Sequence, residues 1–375
     1  MLINISVIIS IIASLFVIKH FVNKKIITLI ENRISNIDGL RGYLALGVFF
    51  HHFIITYYWQ KTGIWQRSPE NFYNNLAELS VSMFFMITGY LFFKVILKND
   101  LDVKLFFKKR FFRLVPIYYF VVIIILLFVM IQTEFQLLVS IKRFFLQLTG
   151  WLFFLQPNLN DYIYTRNITA SVTWTLKYEW LFYIFVPILY YLNKIKYLLN
   201  LLFILILYIC VFPIEINLFN IISFKSSFFI LFFLGMLFIK IENNFDIKKF
   251  NFNNVFMSFI NLSLILFLLL YFESGYGFYQ FLILGLIFFS ILSGNTFFGI
   301  LNLTLSRALG EITYSFYLIH GLILFLIFSM LFPNLIKTYN ELYFLLMPLT
   351  TIIITIISIY TYKLIELPMI EKGKK

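Results

Sequence analysis

Long stretches of this chain contain no charged residue. VVIIILLFVMI (121–131) and LLFILILYICVF (201–212) are apolar at almost every position, whereas a strand with one face on lipid alternates apolar and polar residues. Lipid admits only helices or closed barrels, because every backbone N–H and C=O must find a partner within the protein. The pattern therefore predicts helices. Crossing about 30 Å of hydrocarbon takes roughly 17 to 25 apolar residues, and segments near that length fall at 3–22, 42–59, 79–97, 114–132, 174–192, 197–213, 226–240, 254–272, 277–293, 312–332 and 343–363. Residues 143–156 are also apolar, but short and interrupted, which fits an interfacial or re-entrant segment better than a further crossing. The fold class expected is all-α, a polytopic membrane helical bundle.

Composition strengthens this reading. With 61% hydrophobic, 21% aromatic and 13% charged residues, and a mean hydropathy of +0.91, the chain is too apolar for a water-soluble globule of its length. The single cysteine, Cys210, lies inside an apolar run, so no intramolecular disulfide is available and redox compartment stays open.

The net charge of +13 would suggest nucleic acid in a soluble protein. In a membrane protein the first explanation is that Lys and Arg collect in cytoplasmic loops. Placing 24–41 inside gathers twenty basic residues there and leaves seven outside, so nucleic acid loses its main support. The expected topology has the N-terminus outside and the C-terminus inside. Residues 1–22 lack a basic leader and a small-residue cleavage site and are expected to remain as a helix.

Candidate chemistry lies where polar side chains interrupt the apolar spans. Arg41 and His52 are eleven residues apart, which is three turns plus roughly 20° and about 16 Å of rise, so they share a helix face. Asp38 falls on nearly the same stripe, while His51 points away. On a second helix Thr175, Glu179 and Tyr183 recur at i, i+4 and i+8; on a third, Thr313, Tyr317 and His320 line one side, with Tyr314 beside them. Ionisable groups at membrane depth are costly and mark function by default. The plainer readings are packed, hydrogen-bonded histidines and a Glu179–Lys177 pair. The loop 98–119 holds Arg110 and Arg113 one turn apart, with Pro116 expected in the first turn of the following helix. Guanidinium forks grip phosphate bidentately, although anchoring by positive charge alone would also account for the cluster.

These segments resemble the integral-membrane acyltransferase family 3, which includes O-acetyltransferases of O-antigen and other surface polysaccharides. The similarity rests on IDGLRGYLALGVFFHHF (37–53), FFMITGYLFF (84–93), RFFRLVP (110–116), WTLKYEWLFYIFVP (174–187), LGEITYSFYLIH (309–320) and IELPMIEKGKK (365–375). The resemblance implies ten core transmembrane helices over 35–375, with 1–34 an extra N-terminal helix and connector, in the inner membrane of a bacterium. It implies transfer of an acyl group, usually acetyl from cytoplasmic acetyl-CoA, to a carbohydrate hydroxyl across the membrane, on a surface glycan or lipid-linked saccharide, with no metal and no nucleic acid. By motif match Arg41 and His52 take the family's essential arginine and histidine, and Arg110 and Arg113 its basic motif. Thr88 and Thr313 stand where serine is frequent, and Trp180 follows Glu179 where a second acid is common. A following soluble hydrolase-like domain, as in some members of that family, is not expected.

The expected site has Arg110, Arg113 and Arg41 holding the donor, His52 as general base or acyl acceptor, and Glu179 orienting the imidazole or binding the sugar. Asp38, Thr175, Tyr314, Tyr317 and His320 are supporting residues. A transporter using intramembrane His, Glu and Arg is the rival reading, against which stands the absence of an internal repeat or paired broken helices.

Overall fold

The computed structural model describes residues 2–29, 34–98, 101–194, 215–218, 222–244, 252–338 and 342–375. The predicted span 197–213, with Cys210, lies outside them. The remaining spans form helices: α1 (Leu2–Asn23), α2 (Ser35–Thr62), α3 (Asn71–Leu97), α4 (Val103–Gln132), α5 (Ile141–Leu152), α6 (Trp174–Asn193), α7 (Ser227–Asn244), α8 (Val255–Tyr271), α9 (Phe278–Leu292) and α10 (Thr304–Glu311). Two more close the chain, α11 (Thr313–Leu331) and α12 (Leu342–Lys374), each containing a π-helical turn. Five described helices, α1, α3, α4, α11 and α12, are long and apolar enough to cross a membrane. Among the described residues the strands form a two-stranded antiparallel hairpin, β1 (Glu215–Leu218) with β2 (Ile222–Lys225).

Helix ends explain where hydropathy misplaces boundaries. The apolar stretch 42–59 is only the middle of α2, which begins seven residues earlier and stops at Gly63 (φ 75°), whose N–H returns to the Trp59 carbonyl at 2.7 Å. Asp38 and Arg41 are thus helical. Likewise α4 starts at the Asp102 cap, whose carboxylate accepts from Leu105 N–H at 3.0 Å. The basic segment is therefore the first part of the helix, and Pro116 sits well inside α4 instead of in its first turn. The cap and the following thirteen residues already sustain helix before the proline, whose missing N–H leaves the Phe112 carbonyl without its i+4 donor.

α11 occupies the middle of the bundle, with every residue from Thr313 to Phe325 buried. α2, α4, α12 and the turn Thr165–Thr169 pack around it. α3 meets α7 backbone to backbone, where a Cβ on Gly89 would stand 2.0 Å from the Phe232 carbonyl oxygen and one on Gly235 equally close to that of Met86. Small residues let helices approach so closely in lipid, where packing and not apolar exclusion drives association. α1 docks on α12 through buried Ser6, Ser10 and Ser14, with Ser14 Oγ 3.2 Å from Thr355 Oγ1, and turns Ile8, Ile12 and Phe16 outward.

α5 has twelve residues, about 18 Å at helical rise, too short to cross. Ile141, Phe145 and Leu146 are exposed on one side while Gln147 and Trp151 are buried on the other, the layout of an interfacial helix. The loop after it folds back on itself through positive-φ residues including Phe154, Gln156, Asn160 and Ala170. Buried Asn160 ties it down, accepting from Leu138 N–H at 2.9 Å and donating to Thr133 Oγ1 and the Gln136 carbonyl at 3.0 and 2.8 Å.

Candidate acyl-transfer cavity

A cavity of about 310 Å³ runs between α2, α3, α4, α6 and α11. Along α3 its wall extends from Val81 to Val95, which is about 21 Å at helical rise. Arg41, Arg110, Arg113, Glu179, Tyr183, Thr175, Tyr314 and Tyr317 all line it. Sequence-predicted residues on four separate helices therefore converge on one space, whereas Asp38, His52 and His320 are not among those lining it.

Each arginine is held differently. Arg41 Nη1 stands 3.8 Å from Asp38 Oδ1, one turn earlier on α2, and Asp38 itself is buried where its carbonyl meets α10 at Gly310. A Cβ there would lie 1.9 Å from that oxygen. Arg110 stacks over the Phe92 ring at 4.9 Å, and Tyr183 and Glu179 act on its charge. Its Nε, although buried, has no hydrogen-bond partner among the described residues. A buried donor left unpaired costs about 1–3 kcal/mol, and here it belongs to a group lining an open cavity.

Glu179 sits differently from expectation. Its carboxylate accepts from the Tyr183 hydroxyl, and the charges acting on it are Arg113, Arg110 and Arg41. It faces the guanidinium groups and not His52, because α6 brings positions 179 and 183 against the start of α4. Lys177 lies over the Tyr178 and Phe224 rings, 5.5 Å from each centroid.

Glu366, from the IELPMIEKGKK segment, lies behind this end of the cavity without lining it. The π-helical turn Tyr362–Glu366 buries it against α11, where Ser315 Oγ donates to its Oε2 at 2.7 Å, and Arg113 and Arg41 act on it. A lone carboxylate inside an apolar helix was the signal that could have found it.

At the far end Tyr317 closes the cavity. Its hydroxyl stands 3.0 Å from Thr175 Oγ1, and both hydroxyls lie 3.1 Å from the Val172 carbonyl. Tyr314 donates to the Leu114 carbonyl at 3.1 Å. Beyond Tyr317, one turn further along α11, His320 Nε2 is 3.2 Å from His52 Nδ1. His320 is fully buried, while His52 is half-buried and stacks on Trp65, 16° between ring planes. His51 meets His52 edge-on at 4.8 Å between centroids. His52 is thus not part of the arginine-lined wall. It lies just past the wall's end, behind the Tyr317–Thr175 latch. Among the described residues no three His, Cys, Asp or Glu side chains converge as metal ligands.

Residues 34–363 match the model of a family described as an acyltransferase domain, acyltransferase family 3. No curated protein and no solved structure matches the chain.

Proposed function

The chain belongs to acyltransferase family 3, and from that premise we propose that it is a membrane-embedded O-acyltransferase that takes a short acyl group, acetyl in the first instance, from acyl-CoA to a carbohydrate hydroxyl. In this reading the arginine end of the cavity opens to the cytoplasm, the His52 end faces the opposite side of the inner membrane, the N-terminus is outside and the C-terminus inside. The catalytic domain spans 35–375 with ten core helices, and α1 is an addition packed on α12.

The observation that carries the proposal is one cavity with guanidinium groups at one end and an imidazole pair just beyond the other. Arg110, Arg113 and Arg41 suit the phosphates of the donor, since bidentate charge-assisted bonds to phosphate are what arginine forks make best. A slender pantetheine arm fits a narrow passage walled by Phe84, Thr88 and Leu91, with the thioester arriving under Thr175 and Tyr317. Glu179 then keeps the guanidinium groups in place instead of touching the sugar.

His52 receives the proton of the acceptor hydroxyl as its oxygen attacks the thioester carbon. A C–O bond forms, the C–S bond breaks, and the proton passes on to the leaving thiolate, so His52 ends as it began. The Tyr317–Thr175 latch must open for the two halves of the reaction to meet, which keeps water from the thioester until an acceptor is present.

Membranes containing the protein, supplied with acyl-labelled acetyl-CoA and a lipid-linked glycan, test this directly. Label is expected in the glycan, and none with His52→Ala at equal protein accumulation. A transporter would leave the glycan unlabelled, and undiminished transfer by His52→Ala would remove the histidine from the mechanism.

A further inference from the structure

We infer that His320 is a positioning residue that fixes the tautomer of His52, making Nε2 of His52 the atom that accepts the substrate proton. The inference rests on His52 being the base of the reaction proposed above.

The chain of donors and acceptors begins at a group that has no choice. His320 Nδ1 stands 3.2 Å from the Phe316 carbonyl, one turn earlier on α11, and a carbonyl only accepts. His320 Nδ1 therefore carries hydrogen. An uncharged imidazole holds a single N–H, so His320 Nε2 presents a lone pair, and it presents it 3.2 Å from His52 Nδ1. His52 Nδ1 must then be the donor. With its single hydrogen committed at Nδ1, uncharged His52 is left with its lone pair on Nε2, on the side of the ring away from His320.

This arrangement does for His52 what a carboxylate does for the histidine of a hydrolase triad: it selects the tautomer and holds the ring. It differs in one respect. Among the described residues the titratable groups acting on His52 are His51 and His320, with no carboxylate among them. An imidazolium formed at His52 donates a stronger, charge-assisted bond to His320, yet the proton cannot travel further that way, because the far nitrogen of His320 is already protonated and faces a carbonyl. The relay is closed at that end. The proton taken at Nε2 must leave from Nε2, toward the thiolate, and the positively charged state is brief.

The full-length protein in lipid vesicles provides the test, with three readouts. His320→Leu keeps apolar volume and removes the acceptor; His320→Gln restores a carbonyl oxygen able to accept from His52 Nδ1. The leucine variant is expected to lose about 100-fold in kcat, the scale of a misdirected acid–base group, with KM for acetyl-CoA within about twofold of normal because the arginines are untouched. The glutamine variant should recover at least tenfold of that loss. Only four histidines are present, so ¹⁵N-histidine NMR of the unaltered protein reads the tautomer even if a variant fails to accumulate. A His52 signal with hydrogen on Nδ1 supports the assignment, and hydrogen on Nε2 overturns it. Should His52→Ala be inactive while His320→Leu keeps full kcat, this inference falls and the proposed function stands. Transfer persisting in His52→Ala would instead sink the function it rests on.

Discussion

Replacing Arg113 by alanine isolates the grip at the basic end of the cavity. Arg110 is the poorer choice, since it also stacks on Phe92, and truncating it would remove packing along with charge. Three guanidinium groups and one carboxylate line the cavity, so loss of Arg113 removes one of three cationic partners for a donor phosphate. A hydrogen bond to a charged group contributes about 1.5–3 kcal/mol, and 1.4 kcal/mol corresponds to tenfold in affinity, giving an expected rise in KM for acetyl-CoA of roughly 10- to 150-fold. kcat at saturation should hold, because the imidazole pair lies past the opposite end of the cavity. Arg113→Lys keeps the charge without the fork and should fall between. Initial rates of label transfer at low and high salt give a second handle. Raising ionic strength should increase KM for the unaltered protein more than for the alanine variant, whose smaller charge leaves less to screen. An alanine variant with unchanged KM, or one that loses kcat alone, would refute phosphate binding at this position.

Tyr317→Phe removes the latch hydroxyl that sits 3.0 Å from Thr175 Oγ1; severalfold faster acetyl-CoA hydrolysis without acceptor is expected, read as free thiol release, and an unchanged rate would mean the hydroxyl guards nothing. Gly321→Ala would place a Cβ 2.2 Å from the Thr169 carbonyl carbon. Relief to ordinary contact moves the 165–173 loop by about 1 Å beside His320, and misplacement on that scale costs about 100-fold in rate. Gly285→Ala, whose nearest neighbour would be 3.4 Å away, is the control and should stay active. Asn160→Ala breaks three side-chain hydrogen bonds in a buried loop; a loss of about 2–4 kcal/mol is expected, visible as a lower unfolding temperature in nanodiscs, and an unshifted transition would count against the loop's anchoring role.

Shortness and interruption kept residues 143–156 out of the set of crossings; periodicity within one helix was enough to align Arg41 with His52 and to join Thr175 to Glu179 and Tyr183, because 3.6 residues per turn is a property of the chain alone. The basic end of the cavity was legible for the same reason: Arg110 and Arg113 are one turn apart and adjacent in sequence. Partners from different helices were not legible. His320 meets His52 across 268 positions, Glu179 turns to the arginines instead of the imidazole, and Glu366 is aimed inward by a π turn that hydropathy does not see. In lipid, every face of a spanning helix is apolar enough to touch either tails or a neighbour, so the apolar pattern does not say which helices abut. That was decided by close approaches such as Gly89 to Phe232, Gly235 to Met86 and Gly310 to Asp38, where the geometry of contact, not the sum of hydrophobicity, selects one packing and with it the chemistry the cavity holds.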